Sequence, residues 1–159
     1  MILRIIALLL ACSTLLAPSA SLAQTRRTQN RPQVQRRKLA ERVRAEFLHA
    51  WRGYKQYAWG HDDLRPLTKT HHDWYEQPLL MTPVDSLDTM IILGFKDEAA
   101  QTREYIAKNL SFDKDIYVQN FEITIRHLGG LLSGYQLTGD KRLLALAEDL
   151  GTRLLPAFN

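Results

Sequence analysis

Residues 120–140 read NFEITIRHLGGLLSGYQLTGD, and the spacing within them decides the fold. Phe121, Thr124 with Ile125, Leu128, Leu132 and Tyr135 recur at helical intervals, which places one apolar stripe on an amphipathic helix. Gly129-Gly130 interrupt that stripe with residues lacking a Cβ, so another backbone can approach closely there. Gly139-Asp140 makes a turn, and Leu143, Leu146 with Ala147, Leu150 and Leu154 then define a last helix that Pro156 stops. Helix, turn and helix in this order form a helical hairpin. On its first arm Glu122 stands four residues before Arg126. That spacing suits a surface ion pair worth about 0.3 kcal/mol, or a catalytic carboxylic acid beside a substrate clamp.

The segments upstream repeat the pattern. Leu39, Val43, Phe47, Trp51 and Tyr54 place an aromatic-rich stripe on a helix predicted over residues 33–57, ended by Trp59-Gly60. A loop with no clear period follows, HDDLRPLTKTHHDWYEQPLLM, longer than most connections in compact domains and so a functional candidate. Thr82 and Pro83 read as a cap and a first helical residue. They open a short apolar helix, VDSLDTMIIL, closed by Gly94. Another helix is expected from about Lys96 to Leu110, with Asp97 and Glu98 in the first turn, where the macrodipole favours acids. No segment shows sustained period-two alternation, so the fold class read from the sequence is all-α, built of helical hairpins. Periodicity alone leaves open whether they stack as a solenoid or close as a barrel.

The beginning of the chain differs in character. Met1–Ala23 has a charged start at Arg4, an apolar run from Ile5 to Leu16, and small residues at Ser21 and Ala23. This is the anatomy of a secretory signal peptide, and the run falls short of the ~20 residues a bilayer span needs. The expectation is export to a periplasmic or secreted location, with no transmembrane helix in the mature form. An alternative reading takes LLAC as a lipobox and makes Cys12, the only cysteine, a lipid anchor.

The net charge of +4 invites a nucleic-acid reading until the charges are placed. Arg26, Arg27, Arg31, Arg36, Arg37, Lys38, Arg42 and Arg44 crowd one span, whereas from Ala45 onward twelve Lys and Arg face sixteen Asp and Glu. An acidic body argues against nucleic acid as a partner. Residues 24–35 read as a basic disordered linker, polar and without apolar periodicity, and 36–159 as the folded part.

Four stretches now become specific in combination: AWRGYKQYAWGHDDLRPLTK at Ala50–Lys69, VDSLDTMIILG at Val84–Gly94, NFEITIRHLGGLLSGYQLTGD at Asn120–Asp140, and LAEDLGTRLLPAF after it. In collinear order they strongly resemble the class I α-mannosidases, glycoside hydrolase family forty-seven, in a bacterial-like exported form. The resemblance covers nearly the whole chain from about Leu39. It implies an (α/α)7 barrel, incomplete in this chain, that hydrolyses terminal α-1,2-linked mannose from oligosaccharides with inversion and with a bound Ca²⁺. Glu122 matches the general acid, held to act through a water, while Arg126 and Asp85 match substrate-binding residues. The resemblance also implies that the family's Ca²⁺ ligand and the catalytic base lie beyond Asn159, so the 159-residue chain alone is expected to be inactive. EQPLLMTP at Glu76–Pro83 departs from the family's glycine-rich approach to the VDSLDT helix.

An inverting glycosidase needs one carboxylic acid at the leaving oxygen and a second carboxylate on the opposite face, roughly 6.5–9.5 Å away. The remaining polar residues carry weaker signals. Asp88 reads as a helix N-terminal acid. His61 with Asp62 and Asp63, and His71-His72-Asp73, have metal-ligand chemistry but read as polar loop residues. Trp51, Tyr54, Tyr57 and Trp59 suit a sugar-stacking platform, yet for Trp51 and Tyr54 the spacing favours core. The alternative to an enzyme is a non-catalytic helical interaction or sugar-binding module.

Overall fold

The computed structural model describes residues 19–158, and side chains from residue 32. Met1–Pro18, most of the expected leader and Cys12 with it, lie outside the described residues. The chain divides into two compact units that meet between Glu46 and Phe47.

The first unit is the long N-terminal part of α1, which spans Ser19–Tyr57 and contains Pro32. Its backbone is helical through residues 24–35, where the sequence reading places a disordered linker. Low hydrophobicity tells against packing there and not in itself against a helix, since glutamine and arginine are good helix formers, although Pro32 lies within the stretch. Residues 32–43 are all exposed. Leu39 and Val43, expected to open the apolar stripe, therefore lie on an exposed stretch, and the buried stripe starts later.

The second unit begins with the last turns of α1, which bury Trp51 and Tyr54, and Ala58 just past the helix is buried too. A small antiparallel hairpin follows, β1 (Asp63–Arg65) and β2 (Thr70–His72), with Leu64 opposite His71. The sequence reading has no strand here, because two three-residue strands are too short to show alternation. Helices α2 (Met81–Ile92) and α3 (Lys96–Asn109) pack as a pair across a turn at Gly94, whose φ of 76° suits glycine. After an extended stretch the next arm comes in three pieces: α4 (Asn120–Ile123), a π-helical turn (Thr124–Leu128) and α5 (Gly129–Thr138). Asp140, its carboxylate accepting from the Arg142 N–H at 3.0 Å, caps α6 (Lys141–Leu154). A 3₁₀ turn, Leu155–Phe158, absorbs Pro156.

The core lies where α2 packs on α3 and α5, and α5 on α6. Leu87, Met90, Ile106, Ile123, Leu131 and Leu143 are essentially inaccessible. Two glycines set the spacing of α2 and α5. A Cβ on Gly130 would lie 2.8 Å from Val84 Cγ1, and one on Gly134 would lie 3.0 Å from side-chain atoms of both Leu87 and Leu143. The close approach expected at Gly129-Gly130 thus belongs to Gly130. Gly129 faces nothing nearer than 3.8 Å.

Candidate active site

Glu122 and Arg126 meet as their spacing predicts, with Arg126 Nε donating to Glu122 Oε2 at 2.7 Å. A third residue joins from another element, because Arg126 Nη1 donates to Asp85 Oδ2 at 2.9 Å. The three residues named from the resemblance therefore form one cluster, one cation shared by two carboxylates. Glu122 first, then Asp85, pushes the guanidinium's pKa above its ordinary value. The Arg126 side chain keeps about a third of its surface exposed.

Arg126 lies within the π-helical turn, an insertion often found at functional sites. The buried positions Ile123, His127 and Leu131 recur every four residues. A wide turn keeps such a series on one face, whereas 3.6-residue turns would let it drift. His127 is fully buried, its Nε2 bonded to the Leu79 carbonyl at 2.8 Å, and burial pushes its pKa down.

Asp85 is carried by α2, whose start differs from the expected one. Thr82 does not cap it; the helix begins at Met81 after Leu80, which takes a left-handed conformation (φ 58°). The capping is done from outside by Asp62. This completely buried carboxylate accepts from the N–H groups of Leu79 (2.7 Å), Met81 (3.2 Å) and Trp74 (3.0 Å). Its main-chain carbonyl accepts from the Thr82 hydroxyl at 2.6 Å. Pro83 is accordingly the third helical residue, still within the turn whose N–H groups have no partner inside the helix, so its missing N–H breaks no helical bond. Asp88 lies well inside α2 and accepts from Ser133 Oγ at 2.9 Å. It ties α2 to α5 and does not serve the helix N-terminus.

Trp74, which the sequence reading does not single out, closes the site. Its ring lies 5.0 Å from the Arg126 guanidinium carbon, in cation–π range, and its indole N–H donates to Asp63 Oδ2 at 2.8 Å. The loop histidines are internally partnered: His61 contacts Asp73 at 2.9 Å and stacks on His71 with centroids 3.5 Å apart, while His72 reaches Asp63. Among the described residues no group of three or more His, Cys, Asp or Glu could hold a metal ion. The Glu122 and Asp85 carboxylates are both engaged by Arg126, so the residues present do not make up a Ca²⁺ site.

Trp51 and Tyr54 belong to the core, as their spacing favours. Trp51 Nε1 donates to Glu98 at 2.9 Å and the Tyr54 hydroxyl donates to the His61 carbonyl at 2.7 Å. A groove of about 740 Å³ beside them, lined by Phe47, Tyr57, Leu64 and Lys69 among others, includes neither Glu122 nor Arg126.

The family model described as glycosyl hydrolase family 47 matches residues 46–159. The chain is 54% identical over 112 residues to an endoplasmic reticulum mannosyl-oligosaccharide 1,2-alpha-mannosidase of Rattus norvegicus, covering 70% of this chain and 17% of that protein. It is 48% identical over 119 residues to a mannosyl-oligosaccharide 1,2-alpha-mannosidase of Arabidopsis thaliana, covering 75% and 21%. Among solved structures, an alpha-1,2-mannosidase from Trichoderma reesei matches with a TM-score of 0.60 and 29% identity, over 74% of this chain and 26% of that one. The chain thus spans about a fifth of the length of the curated relatives it matches. These relatives are eukaryotic and lend no support to a bacterial-like form.

Proposed function

The chain belongs to glycosyl hydrolase family 47, and from that premise we propose that it forms part of an enzyme removing terminal α-1,2-linked mannose from oligosaccharides with inversion. The observation that carries this reading is the cluster in which Arg126 is bonded to both Glu122 and Asp85, inside the span the family model matches. In it Glu122 is the general acid. Arg126 is the clamp that donates to sugar hydroxyls, and Asp85 fixes the clamp from α2. Ca²⁺ would supply orientation of the sugar ring in the complete enzyme.

The mannoside is further inferred to be met in an exported compartment. The leader pattern of Met1–Ala23 supports this, as do relatives named for the endoplasmic reticulum. Among the described residues no helix is long and apolar enough to cross a membrane. Cys12 lies outside the described residues, and the comparisons give no support to a lipid anchor there.

The test is mannose release from an α-1,2-linked mannobiose by a form spanning the relatives' length. Removal of a general acid lowers turnover by about 10²–10⁴-fold, so Glu122→Gln should fall in that range. Asp85→Asn should act mainly on KM. Undiminished turnover in Glu122→Gln would sink the assignment of the acid.

A further inference from the structure

Glu122 and Asp85 bind the Arg126 guanidinium directly. Two buried polar residues that the proposed chemistry leaves idle, Asp62 and His127, lie on a closed circuit of contacts that begins and ends at this arginine. His127, next in the chain, bonds through Nε2 to the Leu79 carbonyl at 2.8 Å. The Leu79 N–H donates to Asp62 Oδ1 at 2.7 Å. The other oxygen of that carboxylate, Oδ2, accepts from the Trp74 N–H at 3.0 Å. Trp74 then lays its ring 5.0 Å from the Arg126 guanidinium carbon. We propose that Asp62 and His127 are positioning residues whose buried frame, closed through Leu79 and Trp74, fixes the Arg126 clamp between Glu122 and Asp85.

Three features carry the argument. Asp62 is wholly buried, and the partners of its carboxylate are main-chain N–H groups on two separate stretches, Trp74 and Leu79–Met81. A buried carboxylate is costly unless fully hydrogen-bonded, and here it joins the strand side of the site to the start of α2, the helix that carries Asp85. His127 is also wholly buried, and its Nδ1 has no partner. With Leu79 O accepting, the proton sits on Nε2 and the ring is neutral. An unpartnered buried nitrogen is itself a cost, one that a purely apolar core residue would avoid. Finally, the frame approaches Arg126 from both sides, through its chain neighbour and through the face of its guanidinium.

The catalytic meaning of this frame rests on the reading of Arg126 as the sugar clamp, but its test does not. In the full chain labelled with ¹⁵N, the Arg126 Nε–H is assigned by its disappearance in Arg126→Lys, and its exchange with solvent is followed beside the backbone amides of Leu143 and Leu150. In Asp62→Asn an amide can keep the carbonyl oxygen toward Leu79 while setting its NH₂ against the Trp74 N–H. Loss of a charge-assisted bond corresponds to roughly tenfold or more, so Arg126 exchange should accelerate at least about tenfold. The α6 amides should stay within about twofold. His127→Gln retains a donor for Leu79 O and should preserve protection of Arg126, whereas His127→Leu should lose it. Should one variant fail to fold, the other decides. Unchanged Arg126 exchange in Asp62→Asn and His127→Leu, or loss in parallel with Leu143 and Leu150, would overturn the frame. A frame that passes while Glu122→Gln leaves mannose release intact would instead count against the proposed function alone.

Discussion

Adjacent glycines at the α2–α5 contact should respond to the same substitution with opposite sign. Replacing a helical glycine with alanine ordinarily stabilises by about 1 kcal/mol through lost freedom of the unfolded chain. At Gly129 nothing opposes that gain, since an added Cβ would lie 3.8 Å from the nearest atom, the Thr124 carbonyl. At Gly130 the Cβ would stand 2.8 Å from Val84 Cγ1 and 3.2 Å from the Val84 carbonyl oxygen. Valine in a helix holds essentially one χ1 rotamer, and the carbonyl belongs to α2 itself, so the relief must come from moving that helix. Overpacking of this kind costs about 1–3 kcal/mol. Gly129→Ala should therefore gain about 1 kcal/mol and Gly130→Ala lose about 1 kcal/mol. With a urea slope near 2 kcal/mol/M, the two midpoints should separate by about 1 M around the parent's. Gly130→Ala should also disturb the 2.9 Å contact of Arg126 with Asp85, because Asp85 follows Val84 on the displaced helix. Midpoints that move in the same direction, or Gly130→Ala at or above the parent, would show that the interhelical spacing is not set by this glycine.

Three further outcomes follow from single residues. Arg142's hydrogen bond, and next to it the Arg142 main-chain N–H, holds the Asp140 carboxyl down to about 2 from an ordinary 3.8. Its contribution is thus full above pH about 3.8 and lost as pH falls through about 2; urea titrations of the parent and Asp140→Asn should converge across that window. Burial depresses the His127 pKa, so below its ordinary 6.5 the unfolded chain takes up a proton that the native ring refuses. Stability should drop as pH falls from 7 to 5, and the drop should flatten in His127→Phe. Tyr54→Phe removes the bond to the His61 carbonyl and should cost about 1 kcal/mol, read as a lower urea midpoint with an unchanged slope.

Helical elements were legible where a periodic stripe met a glycine stop, as at Gly94 and Gly139, both of which take positive φ. The pairing of Glu122 with Arg126 was legible too, because four residues on a helix bring side chains together. What escaped the sequence was long-range. Thr82-Pro83 looks like a cap, but the actual cap comes from Asp62, twenty residues earlier, through a buried carboxylate that no local pattern announces. Asp62 drew notice only as a conceivable metal ligand, the chemistry its side chain advertises. Trp74 sat in a loop without period, and its place against Arg126 depends on a main-chain bond to that same carboxylate. The π-helical turn was invisible, and the face was misplaced with it: Phe121, Ile125 and Leu132 of the expected stripe are exposed, and Ile123, His127 and Leu131 are buried instead.

The position of Arg126 also limits what its two carboxylates can do. An inverting displacement needs its acid and base on opposite faces of the sugar, with the ring and the attacking water between them. Glu122 and Asp85 accept from Nε and Nη1 of a single planar guanidinium, so the cation lies between their engaged oxygens. On the proposed role of Glu122 as the acid, a carboxylate tied to the same guanidinium does not suit the opposing base, so the proposal gives Asp85 no such part. What the two acids accomplish together is orientation. Two bonds fix the plane of the guanidinium and Trp74 covers one face, while the bonds to described residues use Nε and Nη1; Nη2 is the group that the proposed clamp would turn to sugar hydroxyls. On the proposed clamp role, an arginine fixed in this way would meet a sugar with little further loss of side-chain freedom, which is where a preorganised arginine gains over a mobile one.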